Sequence, residues 1–143
     1  MRWITHLGGA RVTLGIGLAF AAFGETRLGL AVLVANAGTH LLVQVLKRAV
    51  ARARPCDAMG RPLALVALPD PHSFPSGHAA AATAVAVTIV LAHPLSAPIL
   101  LPLAGLVAHS RVALRVHHVS DVVAGVALGL AGAVAATYIL KTL

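Results

Sequence analysis

Two long, predominantly apolar stretches, residues 28–46 and 122–140, constrain this chain more than anything else in it. Each covers 19 residues, about 28 Å as an α-helix, which is close to the thickness of a bilayer's hydrocarbon core. Three shorter apolar stretches, residues 12–23, 79–92 and 95–108, reach that length only by recruiting flanking polar residues or through local bilayer thinning. The chain is 59% hydrophobic and 10% charged, against about 45–50% and 25% in soluble domains, so much of its surface must face lipid. The expectation is an all-α, multi-pass transmembrane bundle of about five helices, with residues 1–143 forming a single domain.

The N-terminal stretch admits a second reading. Arg2 and Arg11, a short apolar run and Ala21-Ala22 also fit a secretory signal peptide. Its removal would leave four helices and every motif described below.

A formal charge of +7 raises the question of nucleic acid, but aromatic residues make up only 3% of the chain. The basic residues sit between apolar segments rather than on a solvated face, so no nucleic-acid partner is expected. Cys56 is the sole cysteine, which rules out an internal disulfide and a thiolate metal cluster.

Threading five spans through a membrane brings the 48–75 loop and the 109–120 connection to the same face. Residues 25–27, the Pro94 turn and Lys141 fall on the other. Counting Lys and Arg alone would put the first face in the cytoplasm. Several of those cations read better as anion ligands, however, so the residues leave orientation open, and oligomeric state with it. Gly125 and Gly129 form a Gly-x-x-x-Gly spacing that lets helices approach closely, read here as packing within the bundle rather than dimerisation.

Three clusters carry the chemistry: Lys47 with Arg54-Pro55, then Pro75-Ser76-Gly77-His78, then Ser110-Arg111 with His117 and Asp121. As spacings they read Lys-x6-Arg-Pro, Pro-Ser-Gly-His and Ser-Arg-x5-His-x3-Asp. In this form and order they resemble the three-part motif of the type 2 phosphatidic acid phosphatase family, whose pocket is shared with vanadium haloperoxidases. The resemblance spans residues 47–121, over half the chain.

Elementary chemistry supports the same grouping. His117 and Asp121 are four apart, so in a helix starting near His117 the carboxylate would accept a hydrogen bond from one imidazole nitrogen and leave the other as a nucleophile. Ser76 is a candidate N-cap of the helix that follows, where free N–H groups cradle anions and Gly77 permits close approach. His78, at the same helix start, is placed to protonate a leaving oxygen and later deprotonate water. Arg54 and Arg111 can fork two hydrogen bonds onto a phosphoryl group, while Lys47 offers a point charge.

The resemblance implies matching roles. His117 attacks, His78 is acid and base, and Asp121 orients His117, while Lys47, Arg54, Ser76, Gly77 and Arg111 hold phosphate. It further implies a metal-independent reaction without a cofactor. A zinc set drawn from His78, His117, His118 and Asp121 is disfavoured, because adjacent His117 and His118 point about 100° apart on a helix.

Several polar residues lie outside the motifs. Asn36, His40 and Gln44 form a stripe on one helix face, for which interhelical hydrogen bonding is favoured over substrate contact. Trp3 and Tyr138 suit the membrane interface. Arg115, His118 and Val119 depart from the small residue, aromatic and proline that family members often carry. The hypothesis is that Arg115 and His118 read a second anionic group, such as that of a diphosphate; an Arg115→Ala variant impaired equally on mono- and diphosphate lipids would overturn it.

The function expected is a membrane lipid phosphatase acting through a phosphohistidine. A polyprenyl diphosphate is slightly preferred, with phosphatidate or phosphatidylglycerol phosphate as alternatives. A vanadate-dependent oxidase and a non-enzymatic lipid-binding protein are the competing classes. The expected location is the cell membrane, and the resemblance favours an extracytoplasmic site.

Overall fold

The computed structural model describes residues 1–67 and 70–142. A short helix α1 (Arg2–Thr5) and a 3₁₀ turn (His6–Gly8) precede five longer helices. These are α2 (Ala10–Ala22), α3 (Thr26–Val50), α4 (Gly77–Ala92), α5 (Ala97–Ala113) and α6 (Val119–Thr142). Among the described residues extended pairing is limited to two isolated bridges, Ala53 with His72 and Cys56 with Pro62, both in the α3–α4 loop.

A helix is present at each of the five expected stretches, but with different ends. Among the described residues three segments are long and apolar enough to cross a membrane: Thr26–Val50, Val119–Thr142 and also Pro94–Ala113. The third, expected over residues 95–108, gains its length by continuing through His109, Ser110 and Arg111, so part of the chemistry rides on the helix itself. α2 and α4 remain short.

α4 packs against α3, α5 and α6. It is apolar on every side, as an internal helix must be, and Ala79, Ala80, Ala82, Ala84 and Ala86 are buried along it. Such small side chains let neighbouring backbones come near, and α6 takes this furthest. A Cβ on Gly125 would lie 2.5 Å from the Ser76 carbonyl oxygen, and one on Gly129 would lie 2.4 Å from that of Ala80. The Gly-x-x-x-Gly spacing therefore serves contact inside the bundle.

Larger side chains fill the far end of the bundle, where Leu28, Val32, Val85 and Ile89 cluster against Ile16, Phe20 and Leu100. Leu30, Val34, Leu41, Val123, Leu130 and Val134 remain exposed on α3 and α6, as expected of helices facing hydrocarbon.

Both loops expected on one face meet there. The Ser76 backbone N–H donates to the Asp121 carbonyl at 2.9 Å, and the Leu65 N–H donates to that of Leu114 at 3.1 Å. Close packing of α4 on α6 thus joins the second and third motifs backbone to backbone.

Candidate active site

α3 ends at Ala51, whose left-handed backbone (φ 46°) turns the chain while its N–H caps the Lys47 carbonyl. Lys47, in the last turn, is buried and points its ammonium at the loop beyond. Its Nζ donates to Asp70 Oδ1 at 2.9 Å and to the His72 carbonyl at 2.8 Å. Arg54, also buried, donates from Nη2 to the same Asp70 oxygen at 3.1 Å, from Nε to the Asp70 carbonyl and from Nη1 to the Val116 carbonyl. One carboxylate oxygen thus bridges two cations that the sequence assigns to phosphate. Burial works to raise the Asp70 pKa, but Lys47 and Arg54 outweigh it and hold the carboxyl below its ordinary value.

Arg111 lies near the end of α5 and is buried. Its Nη1 donates to the hydroxyl of Thr5 in α1, while Nε has no partner among the described residues. Beside it in sequence, the Ser110 hydroxyl donates to the Val107 carbonyl at 2.6 Å.

His117 departs from expectation. α6 begins at Val119, so His117 lies in the preceding turn and its spacing from Asp121 is not that of a helical pair. Its Nδ1 is 3.8 Å from Asp121 Oδ2, beyond hydrogen-bonding range, and instead lies 2.6 Å from the Ser73 carbonyl. A carbonyl can only accept, so Nδ1 carries the proton and Nε2 keeps the free lone pair. The nucleophilic nitrogen expected from the sequence is retained, with a different group orienting the ring. Burial, then Arg54 and Arg111, push the His117 pKa down from 6.5 to about 3, against the opposing pull of the Ser73 carbonyl.

Asp121 is fully buried. Its Oδ1 accepts from Arg52 Nη1 at 2.8 Å and its Oδ2 from the His118 backbone N–H at 2.8 Å. It thereby fixes the turn that carries His117, so its hold on the imidazole runs through backbone and charge rather than a direct hydrogen bond.

Lys47, Arg54, Gly77, His78, Arg111 and His117 line one cavity of about 570 Å³. Ser76 is fully buried just behind it as the N-cap of α4, yet its hydroxyl makes no capping bond and has no partner among the described residues. A Cβ on Gly77 would meet only Val43, at 3.6 Å, so the protein alone does not demand glycine there and the open side faces the cavity. Neither Arg115 nor His118 lines the cavity. Arg115 is exposed, at a turn with φ 55°. Among the described residues no group of three His, Cys, Asp or Glu is arranged to hold a metal ion.

Asp70, Ser73, Arg52 and Thr5 were not singled out by sequence reasoning. One signal was present for the first: the chain has only four acidic residues, and two of them, Asp57 and Asp70, fall between the first two motifs.

A bundle of membrane-spanning helices that brings His78 and His117 to one cavity with Lys47, Arg54 and Arg111 defines a membrane protein with a cationic, histidine-lined cavity. The PAP2 superfamily profile matches residues 28–143, and this chain belongs to that superfamily.

Among curated proteins it is 41% identical, over 104 residues, to a decaprenylphosphoryl-5-phosphoribose phosphatase of Mycobacterium tuberculosis, covering 68% of this chain and 54% of that protein. It is 32% identical, over 131 residues, to an undecaprenyl-diphosphatase of Sulfolobus acidocaldarius, covering 90% of this chain and 64% of the other. The chain thus spans between half and two thirds of the length of these relatives. Among solved structures it is similar to the transmembrane PAP2 type phosphatidylglycerolphosphate phosphatase of Bacillus subtilis. That match has a TM-score of 0.79 and 32% identity, over 99% of this chain and 75% of that one. It is also similar to Aquifex aeolicus LpxE, with a TM-score of 0.81 and 25% identity over 96% and 82% of the respective chains.

Proposed function

We propose that this protein is a phosphatase of the cell membrane, a single domain that removes phosphate from a lipid through a phosphohistidine, with its site on the extracytoplasmic side. The observation that carries this reading is the His117 ring, whose Nδ1 is held by the Ser73 carbonyl while the ring lines a cavity with Lys47, Arg54, Arg111 and His78. An imidazole so held is neutral, in the nucleophilic tautomer, and surrounded by cations suited to a phosphoryl group.

In the first step the Nε2 lone pair attacks phosphorus, a P–N bond forms and the bond from phosphorus to the leaving oxygen breaks. His78, whose protonated form the arriving phosphate anion favours, gives that oxygen its proton. In the second step water attacks the phosphohistidine, His78 takes a proton from the water, and the P–N bond breaks to release inorganic phosphate. Lys47, Arg54 and Arg111 offset the charge that builds on the equatorial oxygens. Ser76 and Gly77, at the start of α4, offer a hydroxyl and an approachable backbone.

A polyprenyl-linked phosphate is the preferred substrate, since both curated relatives are named for such lipids. A diphosphate head is supported by the name of the Sulfolobus acidocaldarius relative, although Arg115 does not line the cavity. The Bacillus subtilis neighbour keeps a phosphatidylglycerol phosphate as the alternative.

The test offers purified protein, in detergent with chelator, three lipids: phosphatidate, phosphatidylglycerol phosphate and polyprenyl diphosphate. Phosphate release from at least one, lowered on the order of a thousandfold or more by His117→Ala, is the expected result. Turnover that survives His117→Ala would overturn the reading.

A further inference from the structure

The cavity extends well past the residues that would hold a phosphoryl group. It runs along one face of α3 through Gln44 and His40 to Asn36 and Thr13. Asn36, His40 and Gln44 precede Lys47 by 11, 7 and 3 residues, which places all of them within about 60° of it around the helix. Their depths below Lys47 are about 4 Å for Gln44, 10 Å for His40 and 16 Å for Asn36.

The deep end is satisfied internally. Asn36 Nδ2 donates to the Thr13 hydroxyl at 3.0 Å, and that hydroxyl donates to the Gly9 carbonyl at 3.1 Å. Gln44 and His40 are different: neither side chain makes a hydrogen bond with a described residue. The wall around them is apolar, formed by Leu14, Ala37, Leu41, Val43 and Ala81. His40 lies well inside the 25-residue span of α3. At that depth polar groups are costly unless something bonds them, and they generally mark a substrate path.

We infer that this stretch of the cavity is a leaving-group subsite that reads a hydrogen-bonding spacer between the scissile phosphate and the apolar chain. The chemical class is a hydroxylated spacer of the glycosyl or glycerol type. A polyprenyl chain attached directly to phosphate presents only hydrocarbon to Gln44 and His40 and leaves both unpaired. A sugar or glycerol unit places hydroxyls roughly 4–10 Å from phosphorus, at the depths of those two side chains. The Leu14 and Leu41 side chains, both exposed, then meet the apolar tail. The inference deepens the phosphatase reading and rests on it.

The experiment compares kcat/KM of the whole protein, in detergent, on two lipid classes. Polyprenylphosphoryl-5-phosphoribose and phosphatidylglycerol phosphate carry a hydroxylated spacer, while polyprenyl phosphate carries none and polyprenyl diphosphate only a second phosphate. The expected result is a spacer preference of about tenfold or more, the scale of one or two hydrogen bonds. His40→Leu and Gln44→Leu should each shrink that ratio about tenfold, and His40→Gln should restore part of it.

A ratio rather than a rate is the readout because poor folding lowers both classes alike. A wild type that prefers the spacer-free lipids, or a ratio unmoved by both leucine variants, would overturn the inference while leaving the phosphatase standing. Release of phosphate from none of the four lipids would overturn both.

Discussion

Arg52 Nη1 lies 2.8 Å from Asp121 Oδ1, and the same nitrogen donates to the Ser120 hydroxyl at 2.7 Å. One guanidinium therefore ties the loop after α3 to the first turn of α6 and balances a carboxylate that is wholly buried. Arg52 belongs to none of the three motifs and does not line the cavity; it acts on the turn bearing His117 through Asp121.

Arg52→Ala should therefore lower kcat by roughly ten- to a hundredfold with KM nearly unchanged, because an unpaired buried carboxylate disturbs the turn rather than the cradle. Arg52→Lys should recover part of the loss, since it restores charge but not the shared geometry. Steady-state kinetics on any hydrolysed lipid checks this, and a change confined to KM would contradict it.

The protonation of His117 can be followed directly. Its pKa of about 3, against the ordinary 6.5, means that the folded protein refuses a proton which the unfolded chain accepts over that window. Stability should be unaffected by this group above pH 6.5 and should fall as pH drops from 6.5 towards 3. Nitrogen-15 NMR of the imidazole in detergent should show a neutral, Nδ1-protonated ring at pH 5, and Arg111→Gln should raise its midpoint by removing a nearby charge. A wild-type midpoint near 6.5 would contradict the account.

Asp70 competes for the cations assigned to substrate. Because its Oδ1 sits on both Lys47 and Arg54, an incoming phosphate must share or displace it. Asp70→Asn should tighten inhibition by vanadate or orthophosphate roughly tenfold, equivalent to about 1.4 kcal/mol. An inhibition constant that weakens would indicate that the carboxylate orders the cradle more than it blocks it.

Gly125 tests the packing beneath the site. A methyl group there would sit 2.5 Å from the Ser76 carbonyl oxygen, and backbone cannot yield as a flexible side chain does. Gly125→Ala should lower Tm by several degrees and reduce activity as well, since Ser76 N-caps the helix that presents Gly77 and His78. Gly105, with nothing within 4 Å of a Cβ, is the control, and Gly105→Ala should do neither.

The spans were legible because hydrocarbon thickness and helix rise leave little choice of length. Lys47, Arg54, His78, Arg111 and His117 were legible as a motif set, and the structure brings them to one cavity. The holder of His117 was not. Ser73 acts through a backbone carbonyl 44 residues away, and every residue has such a group. The spacing of His117 from Asp121 misled for a related reason: four residues make a helical pair only when both lie in the helix, and α6 starts two residues too late. Asp70 and Arg52 pair with residues 16 to 69 positions distant, across turns whose direction no periodicity encodes.

The bond from Arg111 to Thr5 joins residues 106 positions apart, and Gly8 lies against the His78 carbonyl. During synthesis α1 must therefore wait for a partner made 106 positions later. α1 has no Arg111 to accept from until α5 is complete, and Arg52 has no carboxylate to bind until α6 emerges. The cradle is consequently a late product of insertion: a nascent chain halted before Arg111 holds Lys47 and Arg54 but neither the tie from Arg111 to Thr5 nor that from Arg52 to Asp121.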